Sequence, residues 1–431
     1  MVQIRADYAW LGGSGLTGGV RVEVKNGTIT SVGHGGDDSP DISLSGILMP
    51  GLVSAHSHAF HRALRGKTHQ HDSDFWAWRE PMYRLAAELT PESYEELAVR
   101  VFGEMIRSGI TAVGEFHYLH HQQDGTPYPE ANEMGLALVR AAERSGIRMT
   151  LIDTAYLTSG IDGAPPLPEQ ERFSDGTVTR WEERVRSLAG LLDGNPMVTL
   201  AVAAHSVRAV ASEDLAHIAD VATRLGVPLH IHLSEQPTEN DESVRARGMT
   251  PTELLESAGF LSERTTLVHA THTTERDREL IASTGAGVCL CPTTEADLGD
   301  GIGPAAELRA SGVPLSLGSD SNAIIDVFEE ARRVEHHDRL RLGRRGIHHP
   351  ADLLEAATAG GMRALGWDGG ILAVGAPADL VVLDQESEDL RGIEEEHALA
   401  TVALAATRAS VTDVFVDGEH LVRDGQLAAA G

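Results

Sequence analysis

A chain of 431 residues, 42% hydrophobic and 23% charged, is long enough to bury a large core and to hold one big domain with a smaller one. Its 64 acidic residues outnumber 35 basic ones, giving a net charge of −29. Such a field repels nucleic acid and anionic membranes, so neither is expected as a partner. It would also repel a small anionic substrate unless arginines gather at the pocket. No run reaches membrane-spanning length and the N-terminus lacks an apolar signal core, so a cytoplasmic location is expected.

The N-terminal part, residues 1–50, reads as short strands. Residues 20–25 and 28–32 flank Asn26-Gly27, a hairpin signal because both turn positions need positive φ. Residues 369–431 share this character, with strand-like runs at 379–383 and 411–416. Both termini are therefore expected to build one small β-sandwich domain. Between them, residues 51–368 alternate near-continuous apolar runs with amphipathic stretches. The runs at 48–55, 111–115, 148–152, 199–204, 228–233, 265–269, 287–290 and 313–318 are expected as strands. Helical periodicity falls between them, at 94–107, 133–145, 213–225 and 276–283. Eight such repeats predict an α/β fold, a (β/α)8 TIM-like barrel, with chemistry at the C-terminal ends of its strands. A Gly- and Pro-rich segment at 158–170 follows the third strand and reads equally as a lid or as a solvated insertion.

Those strand ends carry the chemistry. His56 and His58 lie two apart after the first run, so both imidazoles project to one side, as sharing a metal ion requires. The fifth run ends in His232 with Glu235 after it, the sixth in His269, and the eighth leads into Gly318-Ser319-Asp320. A lone histidine is usually structural. Four strands each ending in a metal-competent residue predict a metal-dependent enzyme. Cys289 and Cys291 are the only cysteines and are expected as reduced thiols on one strand face. His69, His71 and the pairs His120-His121, His336-His337 and His348-His349 are expected on the surface or in loops, and the aromatic cluster from Phe75 to Trp78 as packing at the barrel mouth.

With these motifs and the tail Gly370 to Asp384, the chain resembles the amidohydrolase superfamily. Many members hold two metals bridged by a carboxylated lysine at the fourth strand. This chain has only Lys25 and Lys67, and its fourth strand ends Ala203-Ala204-His205, so the resemblance is to the mononuclear deaminase branch. It implies His56, His58, His232 and Asp320 as ligands of one divalent ion, most often Zn2+, although the same ligands accept Fe2+. It further implies catalytic roles for Glu235, His269 and Asp320, and a homodimer.

Longer segments, among them His58 to Ala63, Phe75 to Arg84, Glu115 to His121, Ala204 to Val210 and Cys291 to Gly301, resemble the formimidoylglutamate deiminase group of that branch. That likeness implies a small anionic substrate, N-formimino-L-glutamate, contacted by His61, Arg84, Tyr118, His205 and Arg208, with Arg79 as a further clamp candidate. His61 departs from the pattern, which often has Gln there.

Overall fold

The computed structural model describes residues 1–35, 40–68 and 75–428, with side chains from residue 78 onward in the last segment. The expectations for His69, His71 and the side chains of residues 75–77 lie outside the described residues.

Two sheets organise the chain. The first is mixed and eight-stranded, in the order β16-β15-β14-β13-β4-β1-β2-β3. Its strands are β1 (Val2–Ala9), β2 (Thr17–Lys25), β3 (Thr28–His34), β4 (Ile42–Pro50), β13 (Leu380–Leu383), β14 (Val411–Val416), β15 (Glu419–Arg423) and β16 (Gln426–Leu427). Both termini thus enter one sheet, joined where β4 pairs with β1 on one side and β13 on the other. Alternating residues such as Val20, Val22, Leu380 and Val382 meet in a core of their own, as period-2 patterning requires.

The second sheet is parallel and runs β5 to β12 in sequence order: β5 (Leu52–Ser57), β6 (Ile110–His117), β7 (Arg148–Ala155), β8 (Val198–Ala204), β9 (Leu229–Leu233), β10 (Thr265–His269), β11 (Gly287–Leu290) and β12 (Leu315–Leu317). Helices such as Pro91–Arg107, Glu133–Ser145 and Ser212–Leu225 connect them. A parallel bridge between Ser57 and Asp320 joins the last strand's end to the first, closing the barrel. There the His58 N–H donates to the Asp320 carbonyl at 2.9 Å and the Asp320 N–H to the His56 carbonyl at 3.0 Å. Gly318 permits this seam, because a Cβ there would lie 2.8 Å from both the Cβ and the carbonyl oxygen of His56.

The apolar run at 48–55 is not one strand. It divides at Gly51 between β4 of the terminal sheet and β5 of the barrel, so the first metal-competent pair sits one short strand away from the domain junction. Apolar content alone hides such a division, because both strands are buried.

Behind the barrel mouth a buried ion network ties three elements together. The Arg184 guanidinium donates to Asp153 at the end of β7 (2.6 and 2.9 Å) and to Asp175 (2.9 Å). The Trp181 indole N–H also donates to Asp153, at 3.1 Å. Arg184→Met should lower the denaturation midpoint by an amount corresponding to about 3–5 kcal/mol, since it strands two buried carboxylates. Thermal unfolding of the variant beside the parent checks this, and an unchanged midpoint contradicts it.

Candidate active site

The C-terminal ends of β5, β9, β10 and β12 deliver the expected residues to one cavity. His56 Nε2 lies 3.2 Å from His58 Nε2 and 3.1 Å from His232 Nε2. Asp320 Oδ1 is 3.6 Å from His56 Nε2 and 3.5 Å from His58 Nε2. All four residues are buried. His58 Nδ1 faces the Phe116 carbonyl at 3.0 Å and His232 Nδ1 the His205 carbonyl at 2.9 Å. Since a carbonyl only accepts, those bonds place the protons on Nδ1 and leave Nε2 lone pairs converging. Burial first, then the neighbouring imidazoles, hold all three histidines well below the usual imidazole range, so they are neutral. The Nε2 lone pairs of His58 and His232 thus face His56 Nε2 at about 3 Å, and this donor set fits one divalent ion.

A bridging lysine is absent for a structural reason as well. Lys25 ends β2 in the terminal sheet and Lys67 is exposed, while the fourth barrel strand, β8, ends at Ala204.

Carboxylates and one imidazole crowd the other side. His269 Nε2 lies 3.7 Å from both Glu235 Oε1 and Asp320 Oδ2, and its Nδ1 is 3.3 Å from Glu295 Oε1. Burial alone would lower the His269 pKa, but Glu235, Glu295 and Asp320 together hold it well above the usual range. Burial raises Glu235 as well, and it pushes Asp320 up to about 7 against the opposing pull of His269. A proton donor, a proton acceptor and a cation therefore share one wall of the metal-competent cluster.

The backbone is strained at these positions. Ser234, His269, Ala270, Asp320 and Asn322 all have positive φ, between 43° and 72°, a costly region for non-glycine residues that recurs at functional sites.

The cavity is lined further by His61, Arg79, Met82, Tyr118, His205 and Arg208, with Trp78, Tyr83, Tyr156 and Phe173 completing an aromatic wall. His61 is buried and Nε2 meets the Tyr118 hydroxyl at 3.0 Å. Burial lowers its pKa to about 3, so it is a neutral contact and adds no charge attraction. Arg84 is not brought to the cavity. It is exposed on the helix Phe75–Glu88, five residues and thus ~140° around from Arg79, and Arg79 occupies the cavity face instead. Arg79 also donates to the Tyr83 hydroxyl.

Several supporting residues were not legible beforehand. Glu239, buried in the first turn of the helix Pro237–Arg247, accepts from Arg208 Nε at 2.8 Å. Gln170 donates to the hydroxyls of Tyr156 (2.8 Å) and Tyr83 (3.0 Å), so the end of the segment at 158–170 is bound to the cavity wall. His120, His121 and His348 lie in loops, one of the two expected settings, but are buried there rather than exposed. His120 meets the Thr154 carbonyl, His121 lies 3.2 Å from Asp175, and His348 lies 2.7 Å from Asp338; polar sequence neighbours concealed these partners. Cys289 and Cys291 are buried free thiols, as expected.

Comparisons with known proteins agree with this geometry. A formimidoylglutamate deiminase from Pseudomonas aeruginosa is 39% identical over 395 residues, covering 89% of this chain and 86% of that protein. The crystal structure of an amidohydrolase from Brucella melitensis superposes with a TM-score of 0.92 at 34% identity, covering 99% of this chain and 96% of that one. An adenosine deaminase from Xanthomonas campestris, solved with bound zinc, superposes with a TM-score of 0.87 at 26% identity, over 100% of this chain and 94% of that one. The amidohydrolase family model matches residues 47–421, which spans the whole barrel and its return into the terminal sheet; the chain belongs to the amidohydrolase family.

Proposed function

We propose that the protein hydrolyses N-formimino-L-glutamate to N-formyl-L-glutamate and ammonia. The observation that carries this reading is the presence of two guanidiniums, Arg79 and Arg208, in the same cavity as the histidine cluster. On a chain of net charge −29, paired arginines in a buried cavity suit a substrate with two carboxylates. The 39% identity to a formimidoylglutamate deiminase supports the same choice. With that substrate the reaction belongs to histidine degradation.

In this reading His56, His58, His232 and Asp320 hold one divalent ion, with Zn2+ the first candidate. When bound, such an ion lowers the pKa of water towards ~7 and polarises the reacting centre. Asp320 takes a proton as water adds to the formimino carbon. Glu235 carries a proton to the terminal nitrogen, the C–N bond to that nitrogen breaks, and ammonia departs. His269, cationic and braced by Glu295, stabilises the developing charge. Tyr118, His61 and His205 orient the substrate, while Arg79 and Arg208 take its carboxylates.

The aromatic wall also suits a flat heterocycle, as deaminated by the adenosine deaminase to which the chain is similar. Ammonia release separates the two readings. Turnover of N-formimino-L-glutamate with negligible activity on adenosine, guanine or aminotriazines is expected; the reverse pattern rejects the proposal.

A further inference from the structure

Glu239 touches neither the histidine cluster nor any expected substrate contact except Arg208, yet it is 2% exposed. A buried carboxylate needs partners on both oxygens, and this one has them from two different strand-end loops. Oε2 accepts from Arg208 Nε at 2.8 Å, in the loop after β8. Oε1 accepts from the Ser234 backbone N–H at 2.7 Å, in the loop after β9. Ser234 is the residue immediately before Glu235 and has a φ of 48°.

We infer that Glu239 is a positioning residue that fixes the substrate clamp and the proton-transfer turn to one common anchor. This deepens the proposed function and rests on its assignment of Arg208 to a substrate carboxylate. The chemistry of guanidinium gives the anchor its direction. Arginine has five N–H donors in a rigid fork. Engaging Nε with Glu239 immobilises the plane of a side chain that lines the cavity and leaves its two terminal amino groups, a matched pair for a carboxylate. The charge-assisted bond also keeps the Arg208 guanidinium firmly protonated.

The second bond acts on the other half of the site. A residue with positive φ needs its conformation imposed by its surroundings. Ser234 is held on both sides, by Glu239 at its N–H and by the His272 N–H, which donates to its carbonyl at 3.0 Å. Asn240, one residue after Glu239, donates to the His272 carbonyl at 2.6 Å. The start of the helix Pro237–Arg247 therefore grips the turn that presents Glu235 to His269. A substrate whose carboxylate meets Arg208 is thereby registered against the group that protonates its nitrogen.

Glutamine at this position separates the two functions. Its one carbonyl oxygen satisfies either the Ser234 N–H or Arg208 Nε, and its amino group must then face another donor. With the backbone bond kept, Glu239→Gln should raise KM for N-formimino-L-glutamate ~10-fold or more while kcat changes little. Glu239→Ala releases both partners and should lower kcat as well. In the Arg208→Met background, Glu239→Gln should add little to KM, because its effect passes through Arg208. An additive effect on KM in that background, or parameters within twofold of the parent for Glu239→Gln, would overturn the inference.

A readout independent of turnover keeps this distinct from the substrate assignment. In 1H–15N spectra the parent should show a protected arginine Nε–H signal that disappears in Arg208→Met and becomes exchange-broadened in Glu239→Ala, with the melting temperature recorded for each. If the parent releases no ammonia from N-formimino-L-glutamate but the signal behaves this way, the anchor stands and the substrate falls. An Arg208 Nε–H signal equally protected in Glu239→Ala overturns the anchor whatever the substrate.

Discussion

Glu235→Gln should retain the parent's metal content and lose a factor of ~10²–10⁴ in kcat, the usual share of a positioned general acid–base group. The carboxyl is buried, and burial raises its pKa towards the range where it can both give and take a proton. Its Oε1 lies 3.7 Å from His269 Nε2, itself 3.7 Å from Asp320 Oδ2. The three groups thus sit side by side along one wall of the histidine cluster. Glutamine preserves shape and hydrogen bonding but cannot change protonation state. Steady-state kinetics with metal analysis on the same sample checks both halves. Near-parental kcat would remove Glu235 from the mechanism, and lost metal would show that it acts on the cluster instead.

Metal removal should have an effect at least as large. Dialysis against a chelator is expected to abolish turnover, and added Zn2+ to restore it. Three buried neutral imidazoles bring their Nε2 atoms together, 3.1 and 3.2 Å from the central one, a donor set that a divalent ion satisfies. The melting temperature should accordingly rise when metal is returned, by linkage worth about 2.7 kcal/mol at a hundredfold excess over Kd. His232→Ala should mimic chelation and resist rescue. Full activity after chelation, in a sample shown to contain no transition metal, contradicts the assignment.

The sequence was most readable where chemistry and periodicity coincide. His56 and His58 could be paired because alternate residues of a strand share a side, and His232, His269 and Asp320 followed from the rule that barrel sites collect at strand ends. The closure of the barrel at Ser57 and Asp320 explains why residues 263 positions apart were legible as neighbours: the fold class itself joins the first strand to the last. Helix faces were harder. Arg79 and Arg84 both stood in the aromatic segment, and only the helix's rotation decides which one enters the cavity.

Long-range polar partners were not readable at all. Gln170 reaches Tyr83 across 87 residues, Glu239 reaches Arg208 across 31, and Arg184 gathers Asp153 and Asp175. Such side chains look like surface residues in sequence, because polarity signals burial only once a partner is known. The buried partners of the loop residues His120 and His121 were hidden for the same reason. Ser234, His269 and Asp320 also gave no local sign of positive φ, since tertiary contacts rather than residue type impose it.

In the proposed reaction water replaces the terminal nitrogen of the formimino group. The formimino carbon carries two nitrogens, and the orientation set by Arg208 and Glu235 decides which one leaves. The decisive measurement is product analysis of the metal-loaded protein on N-formimino-L-glutamate by proton NMR, with ammonia assayed in parallel. Equimolar N-formyl-L-glutamate and ammonia are expected; L-glutamate with formamide, or no turnover at all, would contradict it.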